Sequence, residues 1–296
     1  MNKNFKAYFN LLRPFTLLAP IIVSISVMIA SYVYNNGTSE SILTLLPIII
    51  PASLTFALLN GASNALNQAT DVKEDSISKK YRPIPSGAIS SQKASQTAFI
   101  LYLLAMILSL TINITFSFII LLISFFTITY SLPPKMKRIL FLNQLWVAIP
   151  RGMLGIMASW SVFGNPLQNV PLAIGFIATL FLYGGTATKD LTDIIADKKT
   201  GIKTLVNTLG VTKAAYFSLI FMSLSFILII PLVKLKILEI NFLPLSLLVI
   251  LSVLTFWKMI HVQSHKKHEN STAWTLMYTT YFIYALGFAF LTITAA

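Results

Sequence analysis

A chain of 296 residues that is 56% hydrophobic and only 10% charged falls outside ordinary soluble domains, which carry about 25% charge. Its mean hydropathy of +0.77 makes lipid the main solvent, so the net charge of +13 reads as cytoplasmic loops rather than a nucleic-acid surface. Cysteine is absent, which excludes a disulfide framework, a thiolate nucleophile and a Cys-ligated metal. Nine apolar stretches are each long enough, or nearly so, to cross a hydrocarbon core: 14–34, 41–66, 94–112, 115–131, 141–163, 168–188, 214–233, 240–260 and 274–295. Pro47, Pro51 and Pro150 fall inside spans and predict kinks. The first stretch lacks a small-residue cleavage site and is long enough to stay as a span, so no removable leader is expected. Nothing between the spans is long enough for a second folded unit, and residues 1–296 read as one membrane-embedded domain.

Basic residues set the topology, because Lys and Arg in short loops stay on the cytoplasmic side. Lys3, Lys6 and Arg13 precede the first span, and the first loop, Asn35 to Ser41, has no basic residue. The alternation continues through Lys73 to Lys93, Lys135 to Arg138, Lys189 to Lys213, and Lys258 to Lys267. Only Lys234 and Lys236 fall opposite, and Arg151 falls about ten residues into the fifth span, too deep for a casual loop charge. The N-terminus is therefore expected inside and the C-terminus outside. His261, His265 and His268 have a spacing that could bind metal, but beside Lys266 and Lys267 they read as a solvated basic loop.

Six of the nine acidic residues occur in two short stretches, NQATDVKED (Asn67–Asp75) and KDLTDIIAD (Lys189–Asp197), at the cytoplasmic ends of the second and sixth spans. Each stretch holds two aspartates four apart, on one face of a helix, where like charges require a counter-charge. Asn60, Asn64, Asn67, Asp71 and Asp75 form one polar stripe, which should face a water-filled or protein-lined cavity. Lys189, Asp193 and Asp197 form a similar stripe, with Asp190 beside it. Asp71 and Asp193, like Asp75 and Asp197, are separated by the same interval. This weak internal repeat predicts two four-helix halves packed face to face, with the ninth span left over. Four aspartates at one cavity mouth suit Mg2+, which takes one or two carboxylates and completes its shell with water and phosphate. Two such ions make a site for a diphosphate. Lys79, Lys80 and Arg82, and likewise Lys198, Lys199 and Lys203, follow the pairs closely and could close over phosphate, though most of these lysines serve topology. Arg82 is the exception, fixed within the proline-stiffened YRPIPSG segment. Arg151 is either a structural partner for a carboxylate or carbonyl, or a clamp on substrate.

The chain resembles the UbiA-type intramembrane prenyltransferases. Asn67, Asp71 and Asp75 meet that family's first motif, Asn-x3-Asp-x3-Asp. Lys189, Asp190, Asp193 and Asp197, followed by Gly201, Lys203, Thr204 and Leu205, meet the second. Tyr81 to Gly87 matches its Arg-Pro-x-Pro-Ser-Gly segment, and Arg13-Pro14 its N-terminal Arg-Pro. One departure is Gln68, where many members have aspartate. The resemblance implies an all-α membrane bundle of about nine transmembrane helices that transfers an isoprenyl chain from its diphosphate to a hydrophobic or aromatic acceptor, with Mg2+ required. Metal would be held by Asn67, Asp71, Asp75, Asp190, Asp193 and Asp197. Asp71, Asp75, Asp193, Asp197 and Lys189 would be catalytic, and Asn67, Arg82, Lys189, Arg151 and Arg13 would bind diphosphate. Tyr183, Tyr130 and Trp146 are candidates to face the allylic cation, although packing or interface anchoring is the commoner role of such aromatics. Lys80 to Ser90 looks most like the branch of chlorophyll synthases, digeranylgeranylglyceryl phosphate synthases and quinone-precursor prenyltransferases. A lipid or quinone-precursor acceptor is favoured over a chlorin. The expected setting is the plasma membrane of a prokaryote, with the site facing the cytoplasm. A transporter is the alternative of a different class, and it predicts carboxylates near the bilayer midplane. A CDP-alcohol phosphotransferase predicts a dense Asp-Gly-x2-Ala-Arg string, which the chain lacks.

Overall fold

The computed structural model describes residues 3–37, 41–261 and 271–295. Helix α1 (Lys3–Leu12) exposes Phe5, Tyr8 and Phe9 while burying Leu11, as suits a helix lying in a membrane interface. Pro14, at a position where a missing N–H costs nothing, opens α2 (Pro14–Asn36), which Gly37 ends with a positive φ of 71°. Helix α3 (Ile42–Thr70), capped by the Ser41 hydroxyl, keeps Pro47 and Pro51 inside it and runs to the first acidic motif. After α4 (Val72–Ser78), Ser90 and Asn113 cap α5 (Ser91–Leu110) and α6 (Ile114–Ser131).

The fifth predicted span is two helices, α7 (Leu142–Arg151) and α8 (Met153–Trp160), broken at Gly152. Pro150 and Gly152 account for the break. The sixth is α9 (Asn169–Gly185), extended by a 3₁₀ turn over Thr186–Thr192. Then come α10 (Ile194–Thr200), α11 (Leu205–Leu209), α12 (Val211–Ile227) and α13 (Ile229–Lys234). The eighth span starts as a 3₁₀ segment, Ile240–Leu248, before α14 (Val249–Ile260), and α15 (Thr272–Ala295) is the ninth. Among the described residues eight helical segments are long and apolar enough to cross a membrane, and the broken α7–α8 falls where the ninth span was expected. His265 and His268 lie outside the described residues, whereas His261 packs tilted against Trp257.

The spans form a closed ring. Neighbours touch in the order α2, α3, α5, α6, α7, α9, α12, α14, α15 and back to α2, while α8 reaches across to α2. Of three apolar clusters among the described residues, the two larger follow the two halves. One is built on α3, α5 and α6 around Leu66, Phe116 and Ile120, the other on α9, α12 and α15 around Phe181, Phe226 and Phe288. The outer face carries exposed Leu103, Ile107, Leu121 and Phe125, as expected where lipid replaces water.

The repeat is visible in the backbone. Both polar stripes, expected as continuous helix, turn at the first aspartate of each pair. Asp71 has φ −103° and ψ 26°, and Asp193 has φ −109° and ψ 4°, and each starts a seven-residue helix, α4 or α10. Both sit in the sparsely populated bridge region, which a short polar side chain tolerates. The two short helices pack against each other.

Candidate active site

Helix α3 delivers Asn67 and Asp71 to the end of the bundle, and α4 adds Glu74 and Asp75. The 3₁₀ turn after α9 delivers Lys189 and Asp190, and α10 adds Asp197 beyond Asp193. All of these residues line one cavity of ≈ 210 Å³, enclosed also by the end of α6, by α7 and by α15. Arg13 lines the same cavity from the bend between α1 and α2, where its φ is 54°.

Most of the motif carboxylates have a cation of their own. Arg82, which is buried, donates from Nη1 to both Asp75 oxygens at 2.8 and 2.9 Å. Lys79 donates to Asp193 at 2.6 Å and so links the first motif's loop to the second motif. Lys137 pairs with Asp71 and also reaches Asn67 Oδ1 at 3.2 Å and Thr70 Oγ1 at 3.0 Å. Arg138 pairs with Glu74 at 3.0 Å. Lys189 lies beside two neutral partners, Tyr130 Oη at 2.7 Å and Asn143 Oδ1 at 3.1 Å, which aim its ammonium into the cavity.

In the second motif, Asp190 and Asp197 have no paired cation among the described residues. Asp190 Oδ2 is buried without a hydrogen-bond partner. Burial, reinforced by Asp190 and Asp193 nearby and opposed by Lys189 and Lys79, pushes Asp197 up to about 8. Burial also raises Asp75 against the pull of Arg82, and lowers Lys137 against the pull of Asp71. The donors are all hard oxygens, the set that suits a small divalent cation. They face one another across the cavity, and among the described residues no three carboxylates gather tightly enough to cage one ion. This is the arrangement expected when substrate oxygens and water complete the shell.

Several members of the site were not singled out in the sequence. Lys137 and Arg138 read there only as topological lysine and arginine, yet the turn after α6 brings them onto the first motif. Tyr278 and Trp274, from the ninth span, also line the cavity. Tyr130 and Trp146 line it too, whereas Tyr183 packs edge-on against Phe217 and Phe221 and is not part of the lining. Lys80, Lys198, Lys199 and Lys203 are exposed and outside it. Arg151 donates to Tyr278 Oη at 2.6 Å and to Asn60 Oδ1 at 3.3 Å, away from the motif carboxylates.

A second, mainly apolar chamber of ≈ 90 Å³ continues from the first into the bundle. Both are lined by Thr16, Ser63, Thr127, Pro150, Arg151 and Tyr278. The chain thus holds a polar, carboxylate-lined mouth above an apolar pocket, at the ends of spans rather than at their midpoints, contrary to the transporter alternative.

Residues 17–286 match the sequence profile of the UbiA prenyltransferase family. A digeranylgeranylglyceryl phosphate synthase of Methanosphaera stadtmanae is 30% identical over 216 residues, 72% of this chain and 72% of that protein. One from Methanosarcina mazei is 28% identical over 224 residues, 74% of this chain and 76% of that protein. In fold, the chain is similar to a UbiA homologue from Archaeoglobus fulgidus solved with GPP and Mg2+, with a TM-score of 0.72 and 21% identity over 97% of this chain and 99% of that one. With both acidic motifs on one cavity and the profile spanning nearly the whole chain, the protein is a prenyltransferase and belongs to the UbiA prenyltransferase family.

Proposed function

We propose that this enzyme transfers a geranylgeranyl-type prenyl group from its diphosphate to a prenylated glycerol phosphate or a similar lipid acceptor in the membrane, with Mg2+ as cofactor and the site open to the cytoplasm. The observation that carries this reading is the joining of the two chambers, which matches a substrate with a charged head and an apolar tail. The curated relatives in archaea favour a glycerol phosphate lipid, and an aromatic quinone precursor is the second acceptor to test.

The residues fit Mg2+ in donor chemistry, and Asp71, Asp75, Asp193 and Asp197 would hold it, with Asn67 and Asp190 beside them. When bound, the metal neutralises the charge that develops on the leaving diphosphate. Lys189, aimed by Tyr130 and Asn143, and Arg82 add fixed positive charge at the same place, which favours the more negative transition state over the ground state. Lys79 and Lys137 hold charge next to the carboxylates until substrate arrives. The bond between the allylic carbon and the diphosphate oxygen breaks with its electron pair going to diphosphate. The acceptor hydroxyl oxygen then bonds to that carbon and gives its proton to the freed diphosphate. Trp146 and Tyr130 line the wall where an allylic cation would face aromatic rings. The apolar lining of the second chamber disfavours water competing with the acceptor.

The test is prenyl transfer from geranylgeranyl diphosphate with Mg2+ to a panel of acceptors, with the product identified by mass. Asp71→Asn and Asp193→Asn should each lower turnover by about 10²-fold or more, and the wild type should lose activity when Mg2+ is chelated. Undiminished turnover in both variants would sink the proposal.

A further inference from the structure

Arg151 is held at the break between α7 and α8. An added Cβ on Gly152 would lie 2.5 Å from Thr179 Oγ1 and 2.6 Å from the Thr179 backbone, so α9 approaches where only glycine fits. The backbone groups freed by the break are satisfied. The Met153 N–H donates to Thr179 Oγ1 at 2.7 Å, and the Arg151 carbonyl accepts from Tyr281 Oη at 2.8 Å. The guanidinium is therefore fixed in place from its backbone outward, and it is exposed to the cavity.

Like Lys189, it differs in its partners from the cations paired with motif carboxylates. Arg82, Lys79 and Lys137 are tied to motif carboxylates, whereas Arg151 donates to a phenol oxygen and an amide oxygen, both neutral. A full charge within a membrane span, supported only by neutral groups, is costly unless it meets an anion during function. Its partner Asn60 lies 11 residues before Asp71, which at 1.5 Å per residue places Asn60 roughly 16 Å back along α3 from the first motif's aspartate. At that depth Arg151 and Tyr278 line both chambers. This is the junction at which the reactive carbon sits when the head is at the motifs and the tail is in the apolar chamber.

We infer that Arg151, with Tyr278 and Asn60, is the seat for an anionic head on the acceptor, a phosphate monoester or a carboxylate, and so selects charged over neutral acceptors. The inference rests on the prenyl-transfer reading for the acceptor's role but not for its binding. The planar guanidinium offers two parallel donors to such an oxyanion, and Tyr278 supplies a third through its hydroxyl. Trp274, whose ring lies 4.2 Å from that of Tyr278, stiffens this wall.

Full-length Arg151→Gln, Arg151→Lys and Tyr278→Phe proteins test it, each first checked for an unchanged melting temperature. Equilibrium binding of a prenylated glycerol phosphate, of the same prenylglycerol without phosphate, and of 4-hydroxybenzoate and phenol is measured without prenyl diphosphate. Wild type should prefer an anionic ligand over its neutral analogue, Arg151→Gln should lose that preference by roughly 10- to 100-fold, and Arg151→Lys should recover part of it. The anion whose advantage disappears identifies its source as phosphate or carboxylate. In turnover, Arg151→Gln should raise KM for the anionic acceptor and leave KM for prenyl diphosphate within about twofold of wild type. An unchanged preference in Arg151→Gln overturns the inference, as does an effect on prenyl diphosphate KM instead. Intact binding discrimination with no prenyl transfer by the wild type would overturn the proposed reaction and leave the anion seat standing.

Discussion

The charged residues of the cavity differ sharply in what their loss should cost. Arg82 and Asp75 have side chains only 7% and 5% exposed, so Arg82→Ala leaves a buried carboxylate unpaired. We expect about 3–5 kcal/mol of lost stability from that change. Arg138 is 41% exposed where it meets Glu74, and solvent screening limits Arg138→Ala to about 1 kcal/mol or less. Thermal unfolding of the two variants in the same detergent checks the order, and a smaller drop for Arg82→Ala than for Arg138→Ala would contradict it. The sequence singled out Arg82 because its proline neighbours act locally. It gave no comparable sign for Lys137, whose partner Asp71 lies 66 residues away along the chain.

At the scale of elements, three breaks build the site. Two fall at Asp71 and Asp193, where helices turn and set a short acidic helix across the cavity mouth. The third, at Gly152, sets the depth of Arg151. Gly152→Ala would force a methyl group against Thr179 backbone atoms at 2.6 Å, so α7 and α9 must separate. Overpacking of this kind costs about 1–3 kcal/mol. Adding Thr179→Ala should not rescue the melting temperature, because the backbone contacts remain after the hydroxyl is removed. A full rescue would show that the side chain alone sets the contact. Pro150 made a kink foreseeable, but the close approach of α9 that makes it a complete break depends on packing between spans.

On the scale of the molecule, the ring of spans encloses both chambers, and the motifs share one end with α1 and the Tyr81–Gly87 segment. Gln68 fastens that end by donating to the Leu11 carbonyl at 2.6 Å. The opposite end is tied by Gln168 to Asn35 at 2.9 Å and by Ser31 to the Trp160 carbonyl at 2.7 Å. The bias of basic residues predicts that the motif end is cytoplasmic. Because the chain has no cysteine, a single exposed reporter can be placed at each end, Ser86→Cys and Leu167→Cys. In sealed cells an impermeant maleimide should label Leu167→Cys and spare Ser86→Cys until the membrane is opened. The reverse pattern would invert the orientation.

The sequence by itself determined the solvent, the approximate number of crossings, the two spaced acidic motifs and the repeat that relates them, since hydropathy, period and charge bias are properties of neighbouring residues. Tertiary structure alone decided which cation meets which carboxylate, such as Lys79 with Asp193 across 114 residues, and that Arg151 meets side chains of α3 and α15 rather than a motif aspartate. Those pairings depend on where helices cross and where they break, and no periodicity within a single span encodes the position of another span beside it.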